Sequence, residues 1–581
     1  MDIHATETLT GYEVLVATLE SWGIEVCAGV TGGGAIRLLQ HLPPYQPEED
    51  ASGREAPDGL RFLSLGEYAS GFVPLGSYLA SGRIGACIAT TGAATKLLGC
   101  GLSDAKLHDI PAVYIVPISP DATEGLCPLQ DTSRHGSNML AQLRAELPDG
   151  VFVLDDAATM KRQLRQAQIQ LKRSKPVVLL LDHAALGAEI AADPYEVREA
   201  ETAPASVEMD MFAHAFSHAI RDRRVVILAG EELARYPDAP ALTTRLCMLL
   251  GAPVVWSING ANGVERGNPY GHGYISFGGN DAAIRLWREI GAEDVLLVLG
   301  ACPDEYTVNL APYAAGDTFV LTGLDGGYGQ IDGGFRHRAT GAYRQVTAPL
   351  DVALRSLLGR FETSPPGSLR ADPAPDDLNT RQPGAPGSGH VDMASLFRAL
   401  DARWQPNTIG FDDVCLAYKD RQYVVQRPHP HARFFSLYRG SAMGNVLGLA
   451  IGARLAAPES HVVGFTGDGC FRLFAGYLAE ASDLGILLFL LDNASYGIVE
   501  QGLHTIIPDA PAARRHIRLT RMDYAAIAGA CGWRAAALRP NLANLDEILD
   551  LHHQGAPAST LVTVPVDPAH ILGINPRARN L

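Results

Sequence analysis

The chain has 581 residues, 47% of them apolar and 19% charged, with a formal net charge of −17, enough for three or four domains with large cores. The acidic balance argues against nonspecific nucleic-acid binding, which needs a basic footprint. No stretch approaches 18 uninterrupted apolar residues, so no membrane span is expected.

The N-terminus, MDIHATETLTGYEVL, has no basic region followed by an apolar core and so does not read as a secretory leader. Nine cysteines are scattered without C-x-x-C spacing, which points to free thiols in a reducing, cytoplasmic setting.

Three runs of β/α alternation follow in chain order. The first, residues 1–186, opens with a helix over Tyr12–Trp22 and a strand over Val26–Val30. The Gly-rich turn Thr31–Gly34 comes next, then a strand over Phe62–Leu65 and a helix over Tyr68–Ser81. Strands over Ala86–Thr90, Ala112–Val116 and Pro176–Leu181 complete it. The polar segment Gly187–Ser206 reads as a connector. The second run, residues 207–361, has short apolar strands at Val225–Leu228, Pro253–Ser257, Val295–Leu299 and Thr318–Leu321. Residues 363–390 hold six prolines and four glycines and are expected to be a mobile linker. The third run, residues 391–568, ends in a helix over Leu545–His553, with Asn544 and Glu547 at N-cap and N3 spacing, and a strand over Thr560–Val564. The fold class is therefore α/β, with three doubly wound parallel-sheet domains.

The most specific pattern lies in the third run. His461–Thr466 reads as a buried strand, Gly467-Asp468-Gly469 as a turn, Phe471–Ser482 as a helix and Ile486–Leu491 as a second strand. Asp492 and Asn493 stand at that strand's carboxyl end, Asn493 coming 25 positions after Asp468. Glycines let backbone approach a ligand, and a helix N-terminus favours an anion. Ligands of open α/β sheets sit outside the carboxyl ends of the strands, and a carboxylate plus an amide oxygen there suit a hard cation. A plain βαβ turn is the competing reading of a bare G-D-G.

This unit resembles the thiamine diphosphate (ThDP) motif of the acetohydroxyacid synthase and pyruvate decarboxylase superfamily, and the order of the three runs matches that family's pyrimidine-binding, central and diphosphate-binding domains. The resemblance implies ThDP and Mg²⁺ as cofactors. Asp468, Asn493 and the Ser495 carbonyl would be metal ligands, and Gly467, Gly469 and Cys470 part of the cofactor turn. Cys470 taken alone reads as a small packing residue. The family pattern G-x-M-G appears within GSAMG, residues 440–444, placing Gly440 and Ser441 against the cofactor and Met443 between its two rings. Asp413 matches an acidic turn residue of the family.

The catalytic carboxylate of the family, which acts on the pyrimidine from a neighbouring subunit, falls on Glu67 within FLSLGEYASGFVPLG. A homodimer or tetramer with sites at the subunit interface is implied. The following family landmark is altered here to Thr90–Leu97, which changes the loop near the cofactor. Some relatives carry FAD on the central domain, and the sequence leaves that open.

The resemblance also bears on the reaction. The adjacent His pair of simple decarboxylases is absent from the first run; His552-His553 lies at the other end of the chain. Gln130 stands in a partial match to a synthase pattern, and the Trp that synthases carry after the last motif is missing. A specialised carboligase using a 2-oxo acid or similar donor is expected, with a nonoxidative 2-oxo acid decarboxylase or a C–C hydrolase as the alternative. Gln130, His108, Tyr496 and Glu500 are substrate candidates, and Arg134, His135, Tyr438 and Arg439 are further polar candidates. The pair His429 and His431 could serve a metal or sit in a solvated loop. A dinucleotide oxidoreductase, suggested by Gly32-Gly33-Gly34, is disfavoured because Arg37 takes the place of the last glycine of G-x-G-x-x-G.

Overall fold

The computed structural model describes residues 8–45, 59–191, 206–329, 334–364, 370–511, 514–555 and 557–581. Runs of Val, Ile and Leu with no polar alternation make strands that must be covered on both faces, and the chain meets that demand with three six-stranded parallel sheets. The first sheet has the spatial order Arg61–Ser64, Val26–Gly29, Gly85–Ile88, Ala112–Pro117, Val177–Leu181, Val151–Leu154. The third repeats that order with Ala432–Phe435, Thr408–Asp412, His461–Gly467, Leu487–Asp492, Thr560–Pro565 and Arg534–Ala537. The central sheet runs Gly271–Tyr274, Val254–Trp256, Arg224–Ala229, Asp294–Leu299, Asp317–Thr322, Ala342–Thr347, the doubly wound order of dinucleotide folds. Among the described residues no helix is long and apolar enough to cross a membrane.

The first and third units share one continuous apolar core. Its seam is the packing of helix Val73–Ser81 on helix Val446–Ala456, and glycine makes that seam possible. A Cβ at Gly76 would lie 2.0 Å from the Leu449 carbonyl oxygen, one at Gly452 would lie 2.0 Å from that of Val73, and one at Gly448 would lie 2.2 Å from that of Ala69. Backbone meets backbone, so no side chain can swing away to make room.

Several expected elements differ. The helix expected over Tyr68–Ser81 is two pieces, Glu67–Ser70 and Val73–Ser81, divided where Pro74 starts the second and Gly71 presses on Leu98. The helix expected over Phe471–Ser482 lasts only from Asp468 to Phe471 and gives way to 3₁₀ turns at Ala475–Tyr477 and Ala479–Ala481. Burial of Phe471, Phe474, Leu478 and Ala481, and of the Tyr477 ring against Gly66, outweighs local helix propensity there. The capping box at Asn544 does not form. Its side chain instead donates to the Ala537 carbonyl and accepts from the Arg539 amide.

The Pro/Gly-rich segment is not loose over residues 370–390. Leu378 is buried, the Thr380 and Arg381 amides and the Arg381 guanidinium bind Asp281, and Asn379 donates to the Tyr423 carbonyl. Polar side chains at fixed spacing thus clip it across the central and third units. Residues 365–369, and residues 192–205 of the first connector, lie outside the described residues.

Replacing Gly452 with Ala forces the two helices apart and should cost roughly 1–3 kcal/mol by overpacking. Denaturant unfolding checks this, and an unchanged midpoint would show that the seam yields.

Candidate active site

In the third sheet the strand order reverses beside Thr408–Asp412 and His461–Gly467, and a cavity of about 180 Å³ opens outside their carboxyl ends. Its wall is built from the turns after three strands. Val414, Cys415 and Leu416 follow the first, Gly467, Asp468, Gly469 and Cys470 follow the second, and Asn493, Ser495 and Tyr496 follow the third. Ser441 and Met443 close another side.

Asp468 is 1% exposed, and its Oδ1 accepts from the Gly469 amide while Oδ2 has no hydrogen-bond partner among the described residues. Burial, then the negative charge of Asp492, push its carboxyl up to about 6, against the Ala494 and Gly469 amides. Asp492 Oδ1 is likewise buried and without a partner. Asn493 Oδ1 accepts from the Ser495 amide at 3.0 Å, and Ala494 between them adopts φ 51°. The Ser495 hydroxyl donates to Glu500 on helix Gly497–Ile506, so Glu500 braces the turn. Tyr496 packs on the turn so closely that a Cβ at Gly469 would lie 2.9 Å from its ring.

An unpartnered buried carboxylate oxygen beside amide and carbonyl oxygens fits a hard divalent cation such as Mg²⁺, and Asp468, Asn493 and the Ser495 carbonyl are the residues that would hold it. The helix after the turn is a single turn long, so the expected helix-dipole contribution is not available. The buried Cys470 thiol is pushed well up by burial and donates to the Val414 carbonyl, which makes it a packing group in the wall.

The loop carrying Gly440, Ser441 and Met443 is fixed from two directions. Asp413, buried, accepts from the Gly444 and Val414 amides and the Thr466 hydroxyl. Asp104, from helix Ala94–Leu107 of the first unit, is pressed so close that a Cβ at Gly440 would lie 2.0 Å from its Oδ1. Among the described residues neither Asp104 oxygen closes a hydrogen bond of ordinary geometry. Burial pushes its carboxyl up to about 8, opposed by the Gly440 amide and the Arg439 charge.

Other candidates stand elsewhere. Glu67 starts its short helix and does not line the cavity of its own chain, although the hydroxyl of the next residue, Tyr68, donates to the Met443 carbonyl. Gln130 lies against the altered loop, accepting from the Thr91 hydroxyl at 3.0 Å with its side chain on Gly92. His108 is buried at the junction of the three units, paired with Glu231 at 3.2 Å, and Tyr438 and Arg439 join the same network. Arg134 and His135 reach Glu124 on the surface. The His431 amide donates to His429 Nδ1, and among the described residues no group of three or more His, Cys, Asp or Glu side chains is placed to hold a metal.

Sequence reasoning missed Tyr306, Tyr418, Ile498, Val499 and Arg577, all of which line the cavity. Tyr306 comes from the central unit and Arg577 from the last 3₁₀ turn, where it pairs with Glu305 at 2.7 Å. Neither lies in a motif. Only the fold brings them to the cavity.

Residues 421–561 match the family model described as "Thiamine pyrophosphate enzyme, C-terminal TPP binding domain". The acetolactate synthase isozyme 1 large subunit of Escherichia coli (strain K12) is 25% identical over 512 residues, covering 85% of this chain and 83% of the relative. An acetolactate synthase of Mycobacterium avium is 25% identical over 521 residues, covering 85% and 77%. A sulfoacetaldehyde acetyltransferase of Rhodobacter capsulatus is 24% identical over 596 residues, covering 95% and 94%. These matches support a ThDP-dependent enzyme of the acetohydroxyacid synthase and pyruvate decarboxylase superfamily.

Asp104 gives a pH dependence with a definite sign. A carboxyl raised in the fold keeps its proton up to about 8, whereas the unfolded chain releases it near the ordinary carboxylate value. The fold's stability is therefore fullest at acid pH with respect to this group and falls as pH rises through that window, by up to roughly 1.4 kcal/mol per unit. Asp104→Asn should flatten the loss of Tm between pH 6 and pH 8. An equally steep loss in the variant would show that the carboxyl is already ionised.

Proposed function

We propose that the chain is a Mg²⁺- and ThDP-dependent carboligase that joins the acyl unit of a 2-oxo acid, or a similar donor, to a second carbonyl compound. The observation that carries the cofactor assignment is Asp468, its buried Oδ2 unpartnered among the described residues, lining one cavity with Asn493 and Ser495. The reaction class draws support from relatives named as synthases and as an acetyltransferase, one of them aligned along 95% of the chain.

ThDP, when bound, would supply the nucleophile for the donor carbonyl. This chain's residues do the rest. Asp468, Asn493 and Ser495 would hold the cation, Met443 and Ser441 would wall the cofactor, and the Asp413 and Asp104 contacts keep that loop in place. Tyr306, Tyr418 and Ile498, with the more exposed Tyr496 and Val499, give a largely apolar lining that would limit water at the reacting carbon. Glu500 acts through Ser495 as a positioning residue. Glu67 is the proton-transfer group for the cofactor's pyrimidine. Because it does not line the cavity of its own chain, we read it as serving a second copy, which makes a homodimer, or a tetramer of such pairs, the active form. FAD fits poorly. At the carboxyl edge of the central sheet, where a dinucleotide's diphosphate would lie, Glu231 and Glu232 are buried, and Glu232 already takes the Gly323 amide and the Thr322 hydroxyl.

The test is an acid quench of the protein with ThDP, Mg²⁺ and a panel of 2-oxo acids, with and without aldehyde acceptors, read by mass spectrometry. Coupled products are expected. Aldehyde and CO₂ alone would assign a decarboxylase, and no adduct with any oxo acid would point to a C–C hydrolase. Glu67→Gln should lower turnover by about 10²–10⁴ while ThDP and Mg²⁺ still bind. Unchanged turnover would remove Glu67 from the mechanism.

A further inference from the structure

Gly467 and Leu491 are the last paired residues of two adjacent parallel strands, so Asp468 and Asp492 are the next residue on each. Like charges side by side on neighbouring strands oppose one another, and here the cost is raised by burial. Asp468 is 1% exposed and Asp492 half-buried, and Asp468 Oδ2 and Asp492 Oδ1 both lie out of solvent without a hydrogen-bond partner among the described residues. Among the described residues no Lys, Arg or His forms an ion pair with either. The nearby Arg472 guanidinium donates to the Thr520 carbonyl instead. An asparagine at 492 would fill the same volume without charge, so packing does not require the carboxylate. Two negative groups this close, one buried and the other half-buried, with only the Arg472 charge acting from nearby, are costly, and the charge that would offset them is a divalent cation on Asp468.

We infer that Asp492 is a positioning residue that tightens cation binding at Asp468 and makes the stability of the fold depend on that cation. Asp492 is not part of the cavity wall, so it acts from behind Asp468 rather than as a ligand. The inference rests on the reading of Asp468 as the cation's carboxylate. Its consequence is a protein whose third unit is destabilised when the cation is stripped and regains stability in proportion to the cation bound.

The experiment uses the full chain freed of cofactor, with Mn²⁺ binding followed by electron paramagnetic resonance and Tm measured in EDTA and in excess Mg²⁺. Asp492→Asn should weaken Mn²⁺ binding by about tenfold or more, in the range of groups that act behind first ligands. It should also raise Tm in EDTA and shrink the rise on adding Mg²⁺. Asp492→Ser gives a second neutral variant should the amide fail to fold. Wild-type Mn²⁺ affinity together with an unchanged Tm in EDTA in the variants would overturn the inference while leaving the Asp468 site standing. Failure of the wild-type chain itself, or an equal affinity in Asp468→Asn, would overturn the site and the inference with it.

Discussion

One buried carboxylate joins the three units of this chain. Glu231, at the carboxyl end of the first strand of the central sheet, is reached by His108 of the first unit, by Tyr328 and Asn259 of its own, and by Tyr438 and Arg439 of the third. Burial alone would push its carboxyl up. The Arg439 guanidinium, His108 and the Tyr438 hydroxyl outweigh that and hold it well below the usual carboxylate range. Breaking such a network leaves several buried polar groups unpaired at once, so the relative placement of the sheets hangs on it. The same Arg439 donates to the Leu107 carbonyl and stands next to Gly440, where the loop carrying Ser441 and Met443 begins.

That arrangement explains why the site is assembled from distant parts of the chain. The third sheet alone supplies the turns around Asp468 and Asn493. Tyr306 and Arg577, which narrow the cavity, come from the central unit and from the last few residues, and they arrive only because the units are docked. The first unit contributes through Asp104 and Tyr68, which touch the loop from the far side. Its own sheet has the same strand order as the third, so two similar scaffolds have taken different work.

Much of this was legible in the sequence. Continuous apolar runs such as Val177–Leu181 and Leu487–Leu491 announce buried parallel strands, because they are too short for a typical helix and are covered on both faces. Asp468 and Asn493 stood out as oxygen donors at the ends of two strands, and the structure places both on one cavity. What escaped was whatever depends on distant packing. The segment after Phe471 has helical spacing on paper, but Tyr477 finds a better place against Gly66. Asn544 has a capping sequence but a different partner. Tyr306, Arg577 and Asp104 carry no local signature, since their importance lies in what meets them across domains.

The clip formed by residues 370–390 changes how the molecule can be divided. Asp281 and Asn280 of the central unit, and the Tyr423 carbonyl of the third, are satisfied by a strip of chain that belongs to neither sheet. An excised central unit would carry two polar sockets with their plugs removed, and an excised third unit would carry one. The natural dissection points of this polypeptide are therefore not the places where its composition turns rich in proline and glycine.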